Sequence, residues 1–154
     1  MKIQKALRTD AEEITELTIR SKSYWGYSKE QIEEWRDDLT ITPKYIDDNE
    51  VYRLVENETL IGFYAYNPEN KTDVKLNFLF IDPESIGKGF GKILITDFLH
   101  RVEKTDFKRV ILDADPNAEK FYLQMGFQVI GKLKSSIKDR FLPIMAMDLK
   151  KPTT

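Results

Sequence analysis

The 154-residue chain contains no cysteine, which excludes disulfides, thiolate metal ligands and thiol nucleophiles together. Histidine is nearly missing as well. With His100 alone, the chain has no paired imidazoles for a metal; no Ser-His-Asp set is discernible, and His100 falls off the apolar stripe of its own helix, so it is expected to face solvent. Charge of one sign is lacking too: 24 Lys and Arg stand against 26 Asp and Glu, a net charge of −2. That balance gives no broad field to attract nucleic acid or anionic lipid. No apolar run is long enough for a membrane span or a signal peptide, so a cytoplasmic protein without membrane partners is expected.

What is present reads as a globular chain of a size suited to one domain with a sizeable core. Residues 2–7 form a short strand, and Asp10 with Glu13 three residues on marks a capping-box-like helix start. Ile14, Leu17, Ser21 and Tyr24 share one helical face. A second start at Ser28 with Gln31 opens a helix striped by Ile32, Trp35 and Leu39, which Thr42-Pro43 is expected to end. The period then changes. Residues 51–56, 60–66 and 74–81 are β-rich runs separated by Asn57-Glu58 and by residues 67–70, which suggests an antiparallel meander. After it come a helix bearing Ile93, Leu94, Phe98, Leu99 and Val102, a strand at 109–114, a short helix at 117–125 closed by Gly126, and two last strands at 127–132 and 145–149. This order of strands and helices is an α/β mixture around one sheet.

Glycine is sparse, yet three of the seven residues fall within Gly87-Lys88-Gly89-Phe90-Gly91, directly between a strand and an apolar helix. Glycine permits positive φ and a close backbone approach, while the first N–H groups of a helix and its dipole attract phosphate. Lys88 and Lys92 add positive charge at the same place, so a diphosphate is the favoured guest over a tight turn alone. A nucleotide P-loop is disfavoured because Lys92 is followed by Ile93, where a metal-binding Ser or Thr is needed. The Gly-x-Gly-x-Gly spacing and the preceding meander disfavour a dinucleotide fold.

Residues 81–92 resemble the acyl-CoA pyrophosphate motif of the GNAT superfamily of N-acetyltransferases, and residues 115–127, with Asn117, Ala118, Phe121-Tyr122 and Gly126-Phe127, resemble its second signature. One position departs from the first motif: Ile86 stands where the family carries Arg or Gln, so the backbone amides of Gly87, Lys88, Gly89, Phe90, Gly91 and Lys92 must hold the diphosphate. The resemblance implies a GNAT-like three-layer α/β fold of the α+β type. In it a mixed, mostly antiparallel sheet of about seven strands is flanked by four helices. It further implies a single N-acetyltransferase domain over residues 1–150, with 151–154 as a C-terminal tail. Acetyl-CoA is the implied co-substrate, with no metal, and paired subunits are common among the proteins it resembles, which raises a homodimer.

By the same resemblance, the backbone of Leu79, Phe80 and Ile81 carries the oxyanion donor, and an Asn contacts the pantetheine arm. Asp115 occupies the family's usual Asn position and Asn117 lies two residues later, so both are candidates. Phe121, Phe127 and Gly126 read as core aromatics and a helix stop. The resemblance places Tyr122 beside the sulfur, and a phenol is suited to give a proton to a departing thiolate. The family's general base is commonly a Glu on the strand that here reads Lys75-Leu76-Asn77-Phe78-Leu79-Phe80-Ile81, without a carboxylate. Asn77 holding a water, Asp73 acting at a distance, or an acceptor that arrives deprotonated are the alternatives. The resemblance implies an acceptor site shaped by the segments that hold Tyr24, Trp25 and Tyr27, a wall for an apolar or cationic group, and Arg140, a partner for an anion; the alternatives are aromatics that cap the core and a surface arginine. Three readings of function remain: direct acetyl transfer to an amine, an acyl-CoA-binding regulatory module without turnover, or an enzyme using a different phosphorylated cofactor.

Overall fold

The computed structural model describes residues 1–150, and the expected tail at 151–154 lies outside the described residues. Seven strands form one sheet in the order β1-β2-β3-β4-β5-β7-β6. They are β1 (Lys2–Lys5), β2 (Glu50–Glu56), β3 (Thr59–Pro68), β4 (Asp73–Ile81), β5 (Arg109–Asp113), β6 (Gln128–Lys134) and β7 (Phe141–Asp148). The sheet is mostly antiparallel, with β4 and β5 pairing in parallel from Asp73↔Arg109 to Lys75↔Ile111. Among the described residues, five α-helices accompany it: α1 (Ala11–Ser23), α2 (Lys29–Trp35), α3 (Pro43–Asp48), α4 (Phe90–Glu103) and α5 (Glu119–Gln124). None of the described helices is long and apolar enough to cross a membrane.

The extra helix corrects the reading of Thr42-Pro43 as a stop. Pro43 is the first residue of α3, where its missing N–H costs nothing, and the Thr42 hydroxyl accepts the Tyr45 N–H at 3.0 Å. Ser28 behaves as expected, accepting from the Gln31 N–H at 3.1 Å. Asp10 does not cap α1; its carboxylate accepts the Leu7 N–H at 2.7 Å and closes the 3-10 turn before the helix. Between β2 and β3, Asn57 and Glu58 both take positive φ, 51° and 64°, the geometry of a tight hairpin turn.

Two compact units are distinguished within the chain, Met1–Tyr66 with Phe78–Thr96, and Asn67–Asn77 with the chain from Asp97 onward. In the first, α1 and α3 bury Ile14, Leu17 and Ile46 against Val51, Leu60, Phe63 and Ala65 of the sheet. The opposite face of β2 and β3 carries a stack of Tyr52, Tyr64 and Tyr66. Gly62 of β3 is required by close approach: a Cβ there would stand 2.6 Å from the Phe80 carbonyl oxygen and 2.8 Å from Ile81 Cδ1. A strand carbonyl cannot retreat as a flexible side chain can. Gly62→Ala is therefore expected to lower stability by about 1–3 kcal/mol in urea unfolding, and a variant as stable as the parent would disprove this packing.

In the second unit, β5 and β7 bury Val110, Leu112 and Met145, and Phe127 follows the helix stop at Gly126, whose φ is 103°. Asp73 is buried there and receives Arg109 at both oxygens, at 3.3 and 2.8 Å.

Candidate active site

The glycine loop belongs to the first unit, and the residue before it organises it. Asp82 donates its N–H to the Ile61 carbonyl at 2.8 Å and accepts the Ser85 N–H on its own carbonyl at 2.8 Å. One carboxylate oxygen takes the Glu84 N–H at 3.1 Å, and the other takes Arg20 Nη2 of α1 at 2.8 Å. From this anchored turn the chain passes through Gly87 at φ 84° and Gly89 at φ 86° into α4. Ile93 N–H bonds the Gly89 carbonyl at 3.3 Å, so the amides of Phe90, Gly91 and Lys92 lie ahead of the helix's own bonding pattern. A Cβ at Gly87 or Gly89 would meet nothing within 4 Å, and Lys88 and Lys92 are exposed. The loop thus offers amides, a helix dipole and two cations around open space. That arrangement fits a diphosphate.

The aromatic corner after α1 also lies in the first unit. Tyr24 and Trp25 are exposed and meet edge to face at 5.0 Å between centroids. Tyr27 packs instead on Trp35 at 4.9 Å, and Lys22 Nζ lies 5.2 and 5.1 Å from those two rings. Tyr27 therefore already faces a cation from its own chain. Trp35 read as a member of the α2 stripe, and only the folded chain reveals its part in this corner.

Leu79, Phe80 and Ile81 are partly buried on β4. In the second unit, Asn77 donates Nδ2 to Asn67 Oδ1 at 2.8 Å. Asp73, the alternative base, is held below the usual carboxylate range, chiefly by the hydrogen bonds from Arg109 and against the opposing effect of burial. A carboxylate so engaged is a weaker base than a free one.

Tyr122, on α5, is buried, its ring edge to face with Phe121 at 5.2 Å and Phe127 at 5.5 Å. Burial, and secondarily the negative charge of Asp115, push its phenol well above the ordinary tyrosine value. Asp115 caps the turn before α5: one oxygen accepts the Asn117 N–H at 2.8 Å and Asn117 Nδ2 at 2.9 Å. Its other oxygen lies 3.4 Å from Arg140 Nη2, and Arg140 Nη1 donates to Ser135 Oγ at 3.2 Å. Asp115, Asn117 and Arg140 thus form one local network, and an anion reaching Arg140 would compete with Asp115 for it. Spacing along the chain gave no sign of this. His100 is exposed, and the described residues include no group of three or more His, Asp or Glu placed to hold a metal ion.

The family description "Acetyltransferase (GNAT) domain" matches residues 26–151. Curated relatives include two proteins named "Uncharacterized N-acetyltransferase ycf52". The one from Gracilaria tenuistipitata var. liui is 25% identical over 89 residues, covering 58% of this chain and 49% of its own. That from Pyropia yezoensis is 27% identical over 71 residues, covering 46% and 41%. The chain thus spans about half, or less, of the length of these relatives. Among solved structures, the PaiA N-acetyltransferase of Thermoplasma acidophilum, crystallised with coenzyme A, superposes with a TM-score of 0.79 over 96% of this chain and 98% of its own, at 21% identity. At that identity the likeness shows a shared fold.

Proposed function

Since the domain match makes this chain a member of the GNAT acetyltransferase family, we propose that it transfers the acetyl group of acetyl-CoA to a primary amine of a small molecule or peptide, by direct attack within a ternary complex. One observation carries the reading: the anchored loop of Gly87 and Gly89 opening α4, with exposed Lys88 and Lys92 beside it. The amides from Gly87 to Lys92 would hold the diphosphate, and Asp115 or Asn117 would meet the pantetheine arm. The backbone of Leu79 to Ile81 would stabilise the oxyanion, as preorganised N–H donors do in acyl transfer. Tyr122, kept neutral by burial, would donate toward the thiolate as the bond to carbon breaks. Asn77 would position a water that relays the proton of the amine. Tyr24, Trp25, Tyr27 and Arg140 would shape the acceptor site, Arg140 by exchanging Asp115 for an acceptor anion.

A second reading draws on Asp73, the one carboxylate of β4, being committed to Arg109. On that reading the chain is an acyl-CoA-binding regulatory module with little turnover. Calorimetry with acetyl-CoA, CoA and ATP, followed by thiol release from acetyl-CoA across a panel of amines, decides between them. Micromolar binding of both CoA species but not ATP, with thiol release for at least one amine class, is expected. Binding without release selects the regulatory module, and preference for ATP removes both.

A further inference from the structure

We infer that Arg20 is a positioning residue for the phosphate loop, acting through Asp82. The inference rests on the reading of residues 87–92 as the diphosphate cradle. Arg20 lies in the last turn of α1, a helix fixed by the burial of Ile14, Leu17, Thr18 and Ser21. Its guanidinium therefore starts from a rigid base and reaches Asp82, 62 residues away in sequence, at 2.8 Å. Asp82 is the last residue before the loop whose backbone N–H and C=O, and both carboxylate oxygens, are all engaged. Beyond it, the loop turns on two positive-φ glycines with open space around their α-carbons, so its placement depends on where Asp82 is held. The carboxylate has two separable tasks: Oδ1 caps the turn and Oδ2 receives α1.

Exposure decides where the effect will be seen. The Arg20 side chain is 50% exposed and that of Asp82 18%, so the pair contributes little to global stability. Its consequence belongs to ligand affinity, because a loop that must be ordered on binding weakens the complex. Arg20→Ala in the full chain is expected to weaken CoA binding about three- to tenfold, the effect of losing one charge-assisted hydrogen bond transmitted through a turn. The melting temperature should hardly move. S-acetylpantetheine, which has no diphosphate, should bind both proteins equally.

Arg20→Lys should recover part of the CoA affinity. Asp82→Asn, which keeps a cap acceptor but removes the charge, should reproduce the Arg20→Ala loss, and the double variant should be no worse than either single one. Unchanged CoA affinity in Arg20→Ala, an equal loss for S-acetylpantetheine, or additive losses in the double variant would overturn the inference. A parent chain that binds no CoA would instead overturn the reading beneath it.

Discussion

Replacing Gly89 by Glu is expected to weaken CoA binding at least ~100-fold while leaving the chain folded. Gly89 has φ 86°, so any L-residue there is strained by about 1–3 kcal/mol. Strain alone does not make the prediction, and two companion variants separate it. Gly89→Ala suffers the same strain, but its single methyl enters open space, since a Cβ meets nothing within 4 Å. Gly26, at φ 88° and equally open, lies outside the glycine loop, in the turn after α1, so Gly26→Glu repeats both strain and charge at another position. The Glu carboxylate at position 89 would project where the proposed diphosphate lies and repel it. The expected order of CoA affinity is parent, then Gly26→Glu close behind, then Gly89→Ala, with Gly89→Glu far below. If Gly89→Glu binds as Gly89→Ala does, the diphosphate lies elsewhere.

This loop was legible because its signal is local: glycine spacing, flanking lysines and the switch from strand to helix all fall within a dozen residues. The meander was legible for the same reason, since side-chain alternation and the Asn57-Glu58 turn are short-range features. Boundaries were less so. Thr42-Pro43 has opposite meanings at the two ends of a helix, and the choice depended on Ile46 finding a place in the core. Least legible were the contacts of long side chains between distant segments. Arg20 with Asp82, Lys22 with Tyr27 and Trp35, and Arg140 with Asp115 each depend on the backbone path, and the last two engage Tyr27 and Arg140, which the sequence offers as acceptor-recognition groups. Asp73 changed for the same reason, from an alternative base to half of an ion pair.

Tyr122→Phe is the second large expectation: kcat falls about 10- to 100-fold, with CoA affinity nearly unchanged. The substitution removes one oxygen and keeps the ring edge to face with Phe121 and Phe127, so the fold and the proposed diphosphate loop should be undisturbed. The magnitude follows from the phenol's surroundings. General acids commonly contribute about 10²–10⁴-fold when their pKa is matched to the task. Here burial and Asp115 raise the phenol above its ordinary value, which widens its gap from a thiol near 8.5 and makes complete proton transfer more uphill. Only hydrogen-bond donation to the developing thiolate remains, and that places the loss at or below the lower end of the range. The same shift sets the pH dependence. A group raised above its usual pKa keeps its proton past the usual midpoint, so Tyr122 should cause no alkaline fall in kcat up to about pH 10. An alkaline limb below pH 10 that disappears in Tyr122→Phe would show a phenol ionising where its burial forbids it. Lost CoA affinity with normal turnover would reject the donor role and leave Tyr122 as part of the core.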